Sequence, residues 1–208
     1  MPVSIEEMRR IEKKAEETGI SVQIMMENAG ANAARIVDEH AGLKGKTVLV
    51  FCCTGNNGGD VFVFARHALI YGAEVHVWLI KKPEFIKTEV AKRNFDILDS
   101  LKQAGSNISF YFDNVPEMEP DIAVDALLGI GIEGTVSEEY ANAIKKFNAM
   151  KTYRVSLDCP SGIDADTGRA MGTAAVPDMT ITFHSIKKGM SLYSCGEIVL
   201  ASIGIPKA

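Results

Sequence analysis

Thr54-Gly55-Asn56-Asn57-Gly58-Gly59-Asp60 follows an apolar, β-branched run from Thr47 to Cys52. The run reads as a buried strand. The stretch from about Asp60 to Tyr71 reads as a helix closed by Gly72. A strand, a glycine-rich turn and a helix aim backbone N–H groups and a helix N-terminus at an anion. Glycines let the backbone approach a ligand, and the two asparagines add carbonyl and amide groups that ligate a cation or bond a sugar. The loop is not a P-loop, because Gly59 is followed by Asp60 and not by Lys and Ser/Thr. It is not the standard dinucleotide fingerprint either. Cys53 stands where the first glycine belongs, and Lys81-Lys82 stand where a ribose-binding acid is expected. Gly58→Val is expected to block ligand approach and leave the fold intact.

Working outward, segments of strand and helix character alternate. Ser4-x-x-Glu7 is a capping box ahead of Ile5, Met8, Ile11 and Ala15 at helical spacing, and Gly19 ends that helix. Ser21 opens a second helix, rich in Ala and Gly, which ends near Gly42. Later strands are expected at Glu74–Ile80, Ile108–Phe112, Ile122–Ala126, Tyr153–Leu157, Met179–Phe183 and Glu197–Ala201. Helices are expected at Lys87–Ala104 and Ser137–Ala149. The expected architecture is α/β: a Rossmann-like, doubly wound, mostly parallel sheet in a three-layer α/β/α sandwich with an N-terminal two-helix extension. No repeat or linker interrupts the chain, so one domain over 1–208 is expected.

Composition narrows the function. A net charge of -5 over 208 residues argues against nucleic-acid binding by bulk electrostatics. No apolar run reaches membrane-spanning length, and the charged N-terminus is not a secretory signal. The four cysteines, Cys52, Cys53, Cys159 and Cys195, form no C-x-x-C pair and read as reduced core thiols of a cytoplasmic protein.

In an open α/β sheet the ligand lies at the C-terminal ends of the strands. Asn56, Asn57, Asp60, Asp125, the loop from Gly129 to Thr135, Asp158 and Ser161 all fall there. Asp125, inside a strand, is either bonded to neighbouring loop N–H groups or binds a cation. Asp158 ends a strand before Cys159-Pro160-Ser161-Gly162 and is placed for acid–base work or for ordering that loop. The all-oxygen set Asn57, Asp125 and Ser161, with one carboxylate, suits a monovalent cation.

Met26-Glu27-Asn28-Ala29-Gly30, Gly55 to Asp60, Val124-Asp125-Ala126-Leu127-Leu128-Gly129, Asp158 to Gly162, Thr182-Phe183 with Lys187, and Ile203-Gly204-Ile205-Pro206 together resemble the NAD(P)H-hydrate epimerases, the YjeF N-terminal domain family. The resemblance spans nearly the whole chain. It implies interconversion of the R and S forms of NAD(P)H hydrated at nicotinamide C6, so that an S-specific dehydratase using ADP or ATP restores all the cofactor. By matching motif it implies hydrate binding by Asn56, Asn57, Gly58, Gly59, Asp60, Gly129, Ile130, Gly131, Ile132, Glu133, Gly134, Thr135 and Asp158. It implies potassium at Asn57, Asp125 and Ser161, and a homodimer. Asp158 is the expected acid and base, with burial raising its pKa for the acid role. Cys53 and Val61 depart from the family, which usually has Gly at both. The rival reading is a non-catalytic nucleotide-binding or scaffold module of the same fold. Such a module is expected to lose the acid and cation residues, whereas Asp158, Asn57 and Asp125 are all kept.

Overall fold

The computed structural model describes residues 1–206 apart from Asp113 and Glu133. Two helices precede the sheet: α1 (Ile5–Glu17) and α2 (Val22–Ala41). Both start as their sequence signals require. The Ser4 hydroxyl accepts from the Glu7 N–H while Glu7 accepts from the Ser4 N–H, and the Ser21 hydroxyl accepts from the Ile24 N–H. Then come β1 (Thr47–Cys52), α3 (Asn56–Ile70), β2 (Glu74–Leu79), α4 (Glu89–Gln103), β3 (Ile108–Tyr111), β4 (Ile122–Ala126), α5 (Glu138–Ala149), β5 (Tyr153–Leu157), β6 (Met179–Phe183), α6 (Leu192–Cys195) and β7 (Glu197–Ala201).

The strands form one seven-stranded sheet in the order β3-β2-β1-β4-β5-β6-β7. Every neighbouring pair is parallel, so the sheet goes beyond the mostly parallel expectation. The order reverses between β1 and β4. Crevices form at such a point, because the two connections leave toward opposite sides.

Alternation along each strand splits the core into two layers. Val48, Val50 and Cys52 of β1, with Val75 and Val77 of β2 and Val124 of β4, meet Ala33 and Val37 of α2, Phe62 and Phe64 of α3 and Leu98 of α4. On the other face Leu49 and Phe51 of β1 and Ala123 of β4 meet Ala143, Ile144 and Phe147 of α5. Phe51 sets its ring edge-to-face against both Trp78 and Phe147, at 5.6 Å each.

The two faces are covered unequally. The second face also carries a polar row, Asp125, Ser156 and Thr180, which the register places side by side. An irregular segment, 158–178, lies between β5 and β6. The Thr180 hydroxyl donates to the Cys195 carbonyl at 2.6 Å, while Asp125 and Ser156 serve the site described below.

Gly30 is where α2 crosses α3. A Cβ there would lie 2.5 Å from the Asp60 carbonyl oxygen and from Val63, so only glycine permits the approach. Glu27 beside it pairs with Arg66 and, at 2.9 Å, with His67 of α3. The Asn28 and Asn32 amides donate to the Ile203 and Ser202 carbonyls, tying the C-terminal segment to α2. Among the described residues no helix is long and apolar enough to cross a membrane. All four cysteines are free and buried.

Candidate functional site

A cavity of about 760 Å³ opens at the β1/β4 reversal, at the C-terminal ends of the strands. Its floor is Cys53 to Asn57 and Asp60, one wall is Leu127 to Ile132, and Asp158 and Phe183 close the sheet side. Arg9, Glu12, Lys13 and Glu16 of α1, with Met25, Met26 and Ala29 of α2, also line it.

The floor departs from the expected helix start. Helix α3 begins at Asn56, not near Asp60, with Gly55 as its N-cap. Asn56, Asn57 and Gly58 are thus the first three helical residues, and their N–H groups have no partner within the helix. The Gly59 N–H already bonds the Gly55 carbonyl, at 3.2 Å. Asn56 is exposed, and its Oδ1 accepts from the Thr88 hydroxyl at 2.9 Å. Gly58 and Gly59 do not face the ligand space. A Cβ on Gly58 would lie 2.1 Å from the Cys53 carbonyl oxygen, and one on Gly59 would lie 2.5 Å from Met26. These glycines let the helix start press against the strand end and against α2. The expectation that Gly58→Val spares the fold is therefore corrected, because the clash is with the protein's own backbone. Val61, helical and fully buried, needs no glycine freedom.

On the β4 side, Leu127, Leu128, Gly129, Ile130, Gly131 and Ile132 line the cavity. Gly134 and Thr135 do not, and Thr135 packs beside Gly172. Glu133 lies outside the described residues. Tyr140 of α5 reaches the cavity, and burial, helped by the neighbouring thiols and Glu139, pushes its phenol up to about 12.

Asp125 is fully buried and all its lone pairs are engaged. Oδ1 accepts from the Ser161 hydroxyl at 2.5 Å and the Leu127 N–H at 3.3 Å. Oδ2 accepts from the Ser156 hydroxyl at 2.8 Å and the Ser161 N–H at 2.9 Å. Burial raises its pKa, against the opposing pull of these donors. The Ser161 oxygen in turn accepts from the Leu128 N–H at 2.8 Å. Asp125 and Ser161 are thus brought together, and they hold the β4 and β5 loops side by side. Asn57 sits across the Leu128–Gly129 peptide: its side chain lies 3.4 Å from where a Gly129 Cβ would be. It is 8% exposed, and both its amide nitrogen and its carbonyl oxygen are buried without a hydrogen-bond partner.

Asp158 follows β5 in the left-handed region, φ 66°, which Asp tolerates better than most residues. Its N–H donates to the Ile181 carbonyl at 2.7 Å. Its carboxylate is 14% exposed and pairs closely with the Lys187 ammonium, whose side chain is 1% exposed. Lys187 Nζ also donates to the Thr182 hydroxyl at 2.9 Å and the Phe183 carbonyl at 3.1 Å, so its three protons are all placed. The structure adds a buried ammonium that meets the charge of Asp158.

Three further carboxylates line the cavity without hydrogen-bond or ion-pair partners among the described residues: Asp60, Glu12 and the exposed Glu16. Burial raises the Asp60 carboxyl well above its ordinary value, reinforced by the charges of Asp158 and Glu12 and opposed by Lys187. Burial and then the charge of Asp158 raise Glu12. Neither Lys187 nor Glu12 was among the expected site residues, although Lys187 stood in the family motif.

The YjeF-related protein N-terminus family model matches residues 22–189. The chain belongs to that family. The NAD(P)H-hydrate epimerase of Nitrosopumilus maritimus is 39% identical over 99% of this chain and 96% of its own length. The NAD(P)H-hydrate epimerase of Cenarchaeum symbiosum matches equally, at 39% over the same shares. A bifunctional NAD(P)H-hydrate repair enzyme of Methanothermobacter thermautotrophicus is 38% identical, and 40% of its length is covered. The crystal structure of yeast ynu0 superposes with a TM-score of 0.76 at 25% identity, over 91% of this chain and 82% of the yeast chain.

Proposed function

We propose that this protein is an NAD(P)H-hydrate epimerase, an isomerase that interconverts the R and S hydrates at nicotinamide C6 within hydrate repair. The observation that carries the reading is the Asp158–Lys187 pair at the edge of a cavity large enough for a dinucleotide's reactive end.

The chemistry needs an acid and a base. Protonation of the C6 hydroxyl lets the ring nitrogen lone pair expel it as water and leaves a planar iminium. Water then adds from either face. Asp158 is the residue that exchanges protons with that oxygen, and Lys187 holds its carboxylate in place. The phosphates lie over the first N–H groups of α3, at Asn56 and Asn57. The Gly129–Ile132 wall closes on the ring.

Potassium fits the donor chemistry of Asn57, Asp125 and Ser161. All offer oxygen, with a single negative charge, and the buried Asn57 carbonyl oxygen has no other partner. Asn57 and Ser161 would hold the ion beside Asp125, and its charge would offset that carboxylate and order the two glycine loops. Melting in potassium chloride against choline chloride tests this. Wild type gains stability with potassium, Asn57→Ala does not, and equal melting in both salts argues against the ion.

The reading includes an S-specific, ADP- or ATP-dependent dehydratase as functional partner, a cytoplasmic location, one domain over 1–208 and a homodimer. The relatives that bear the name of a bifunctional repair enzyme support the pairing of the two activities. The test is incubation with R-hydrate and an S-specific dehydratase, following return of reduced nicotinamide absorbance. Asp158→Asn should fold and bind but lose about 10²- to 10⁴-fold in rate above the spontaneous background. No acceleration by wild type would refute the function.

A further inference from the structure

The connection between β2 and α4 carries Lys81, Lys82 and Lys87. The structure sorts these lysines. Lys81 approaches Glu139 at 3.9 Å, and neither it nor Lys82 lines the cavity. Lys87 does.

Two hydrogen bonds fix the place of Lys87. Its N–H donates to the Thr54 carbonyl at 2.9 Å, and the hydroxyl of the next residue, Thr88, donates to Asn56 Oδ1 at 2.9 Å. Thr88 is also the N-cap of α4, accepting from the Ala91 N–H at 3.3 Å. The starts of α3 and α4 are thus latched together, and Lys87 stands at the joint, against the turn that opens α3. Its ammonium has no hydrogen-bond or ion-pair partner among the described residues. The acid–base groups do not use it, because the charges that act on Asp60 are those of Asp158, Glu12 and Lys187. The same turn holds an independent sign of a ligand. Asn57 is 8% exposed and lines the cavity, and its amide nitrogen is a buried donor with no acceptor. Its carbonyl oxygen is the atom offered to potassium above, so the donor is left over. Helix N–H groups, an orphaned amide and an unpaired ammonium together suit an anion rich in acceptor oxygens.

We infer that Lys87 binds a phosphate group of the dinucleotide, completing a phosphate corner with the first N–H groups of α3 and the Asn57 amide. This rests on the epimerase reading above for the identity of the ligand. A dinucleotide hydrate carries a bridging diphosphate, and its NADPH form adds a phosphate on the ribose 2′-oxygen. Both offer the same chemistry to an ammonium. The latch of Thr88 on Asn56 holds the lysine's backbone at the corner, while its exposed side chain is free to follow the ligand.

Titration with NADH and NADPH themselves, followed by nicotinamide fluorescence, tests this without turnover. Lys87→Gln should weaken NADPH binding by about 5- to 10-fold, the range between an exposed ion pair and a charge-assisted hydrogen bond. It should also flatten the loss of affinity as sodium chloride rises at fixed potassium. An equal loss for NADH assigns Lys87 to the diphosphate, and a loss confined to NADPH assigns it to the 2′-phosphate. Lys87→Arg keeps the charge and should retain most of the affinity. Lys82→Gln, outside the cavity, should bind as wild type does. Matching melting temperatures show that these exposed substitutions leave the fold intact. Unchanged affinity of Lys87→Gln for both dinucleotides, an equal fall in Lys82→Gln, a Lys87→Arg protein as weak as Lys87→Gln, or a wild type that binds neither dinucleotide overturns the inference. Binding that depends on Lys87 in a protein that does not interconvert the hydrates leaves the phosphate corner standing and refutes the epimerase reading instead.

Discussion

Lys187→Met is the perturbation with the largest calculable consequence. The substitution keeps most of the unbranched apolar stem and removes the charge and three donors. Lys187 is 1% exposed and its partner Asp158 14% exposed, so water cannot replace what is lost. Breaking a buried pair from one side costs about 3–5 kcal/mol, because the remaining charge is left uncompensated. For a chain of this length each kcal/mol moves the melting temperature by about 2–4 °C, so a fall of about 6–20 °C is expected. Asp158→Asn should cost less. The ammonium then keeps the Thr182 hydroxyl and the Phe183 carbonyl, and the Asn oxygen still accepts. The double variant Asp158→Asn/Lys187→Met removes both charges and should be more stable than the two single losses predict, by about 0.5–3 kcal/mol. Urea denaturation of the four proteins measures this cycle. Strict additivity, or a Lys187→Met protein that melts with wild type, would refute the claim that the pair is a buried electrostatic unit.

Two other perturbations follow from the same site. Gly58→Ala should destabilise by about 1–3 kcal/mol through overpacking, because the new methyl meets the Cys53 carbonyl oxygen at 2.1 Å; an unchanged denaturation midpoint would show that the α3 start is free to shift. Asp60→Asn tests the raised carboxyl. Burial, then the charges of Asp158 and Glu12, lift its pKa in the folded protein. Its contribution is therefore whole below the ordinary carboxylate value and is lost as pH rises through the raised one. The variant should melt above wild type at neutral and alkaline pH, with the gap closing as pH falls toward the ordinary value of 3.8; a gap that does not vary with pH would contradict this.

Where local chemistry decides structure, the residues announced it. The Ser4 and Ser21 caps, the β-branched runs and the strand-end position of Asp158 are all local signals. The start of α3 was misplaced for a physical reason. Asn-Asn-Gly-Gly is a poor helix former, and its helicity comes from packing on Cys53 and Met26, which propensity cannot register. The same contacts explain why Gly58 and Gly59 looked like ligand glycines and are packing glycines. Lys187 stands in the family motif, but the sequence does not mark it as the partner of Asp158. Lysine is among the residues least often buried, and the two are 29 positions apart. Glu12 was invisible because helical spacing shows that a face is polar and not what that face looks onto.

The cavity draws its walls from the first helix, from residues 53–60 and 127–132, from Asp158 and from Phe183 and Ile203 near the other end of the chain. That dispersion bears on the order in which the protein is made. A chain emerging at about 5–20 residues per second presents Asp158 roughly 1.5–6 s before Lys187 exists to meet it. The strands through β5 can associate in that interval, but β6 and β7 still have to join the sheet and bring the lysine with them. A chain halted there carries a carboxylate with no ammonium beside it. Synthesis therefore delivers residues 53–60 and Asp158 first, and the ammonium that meets Asp158 last.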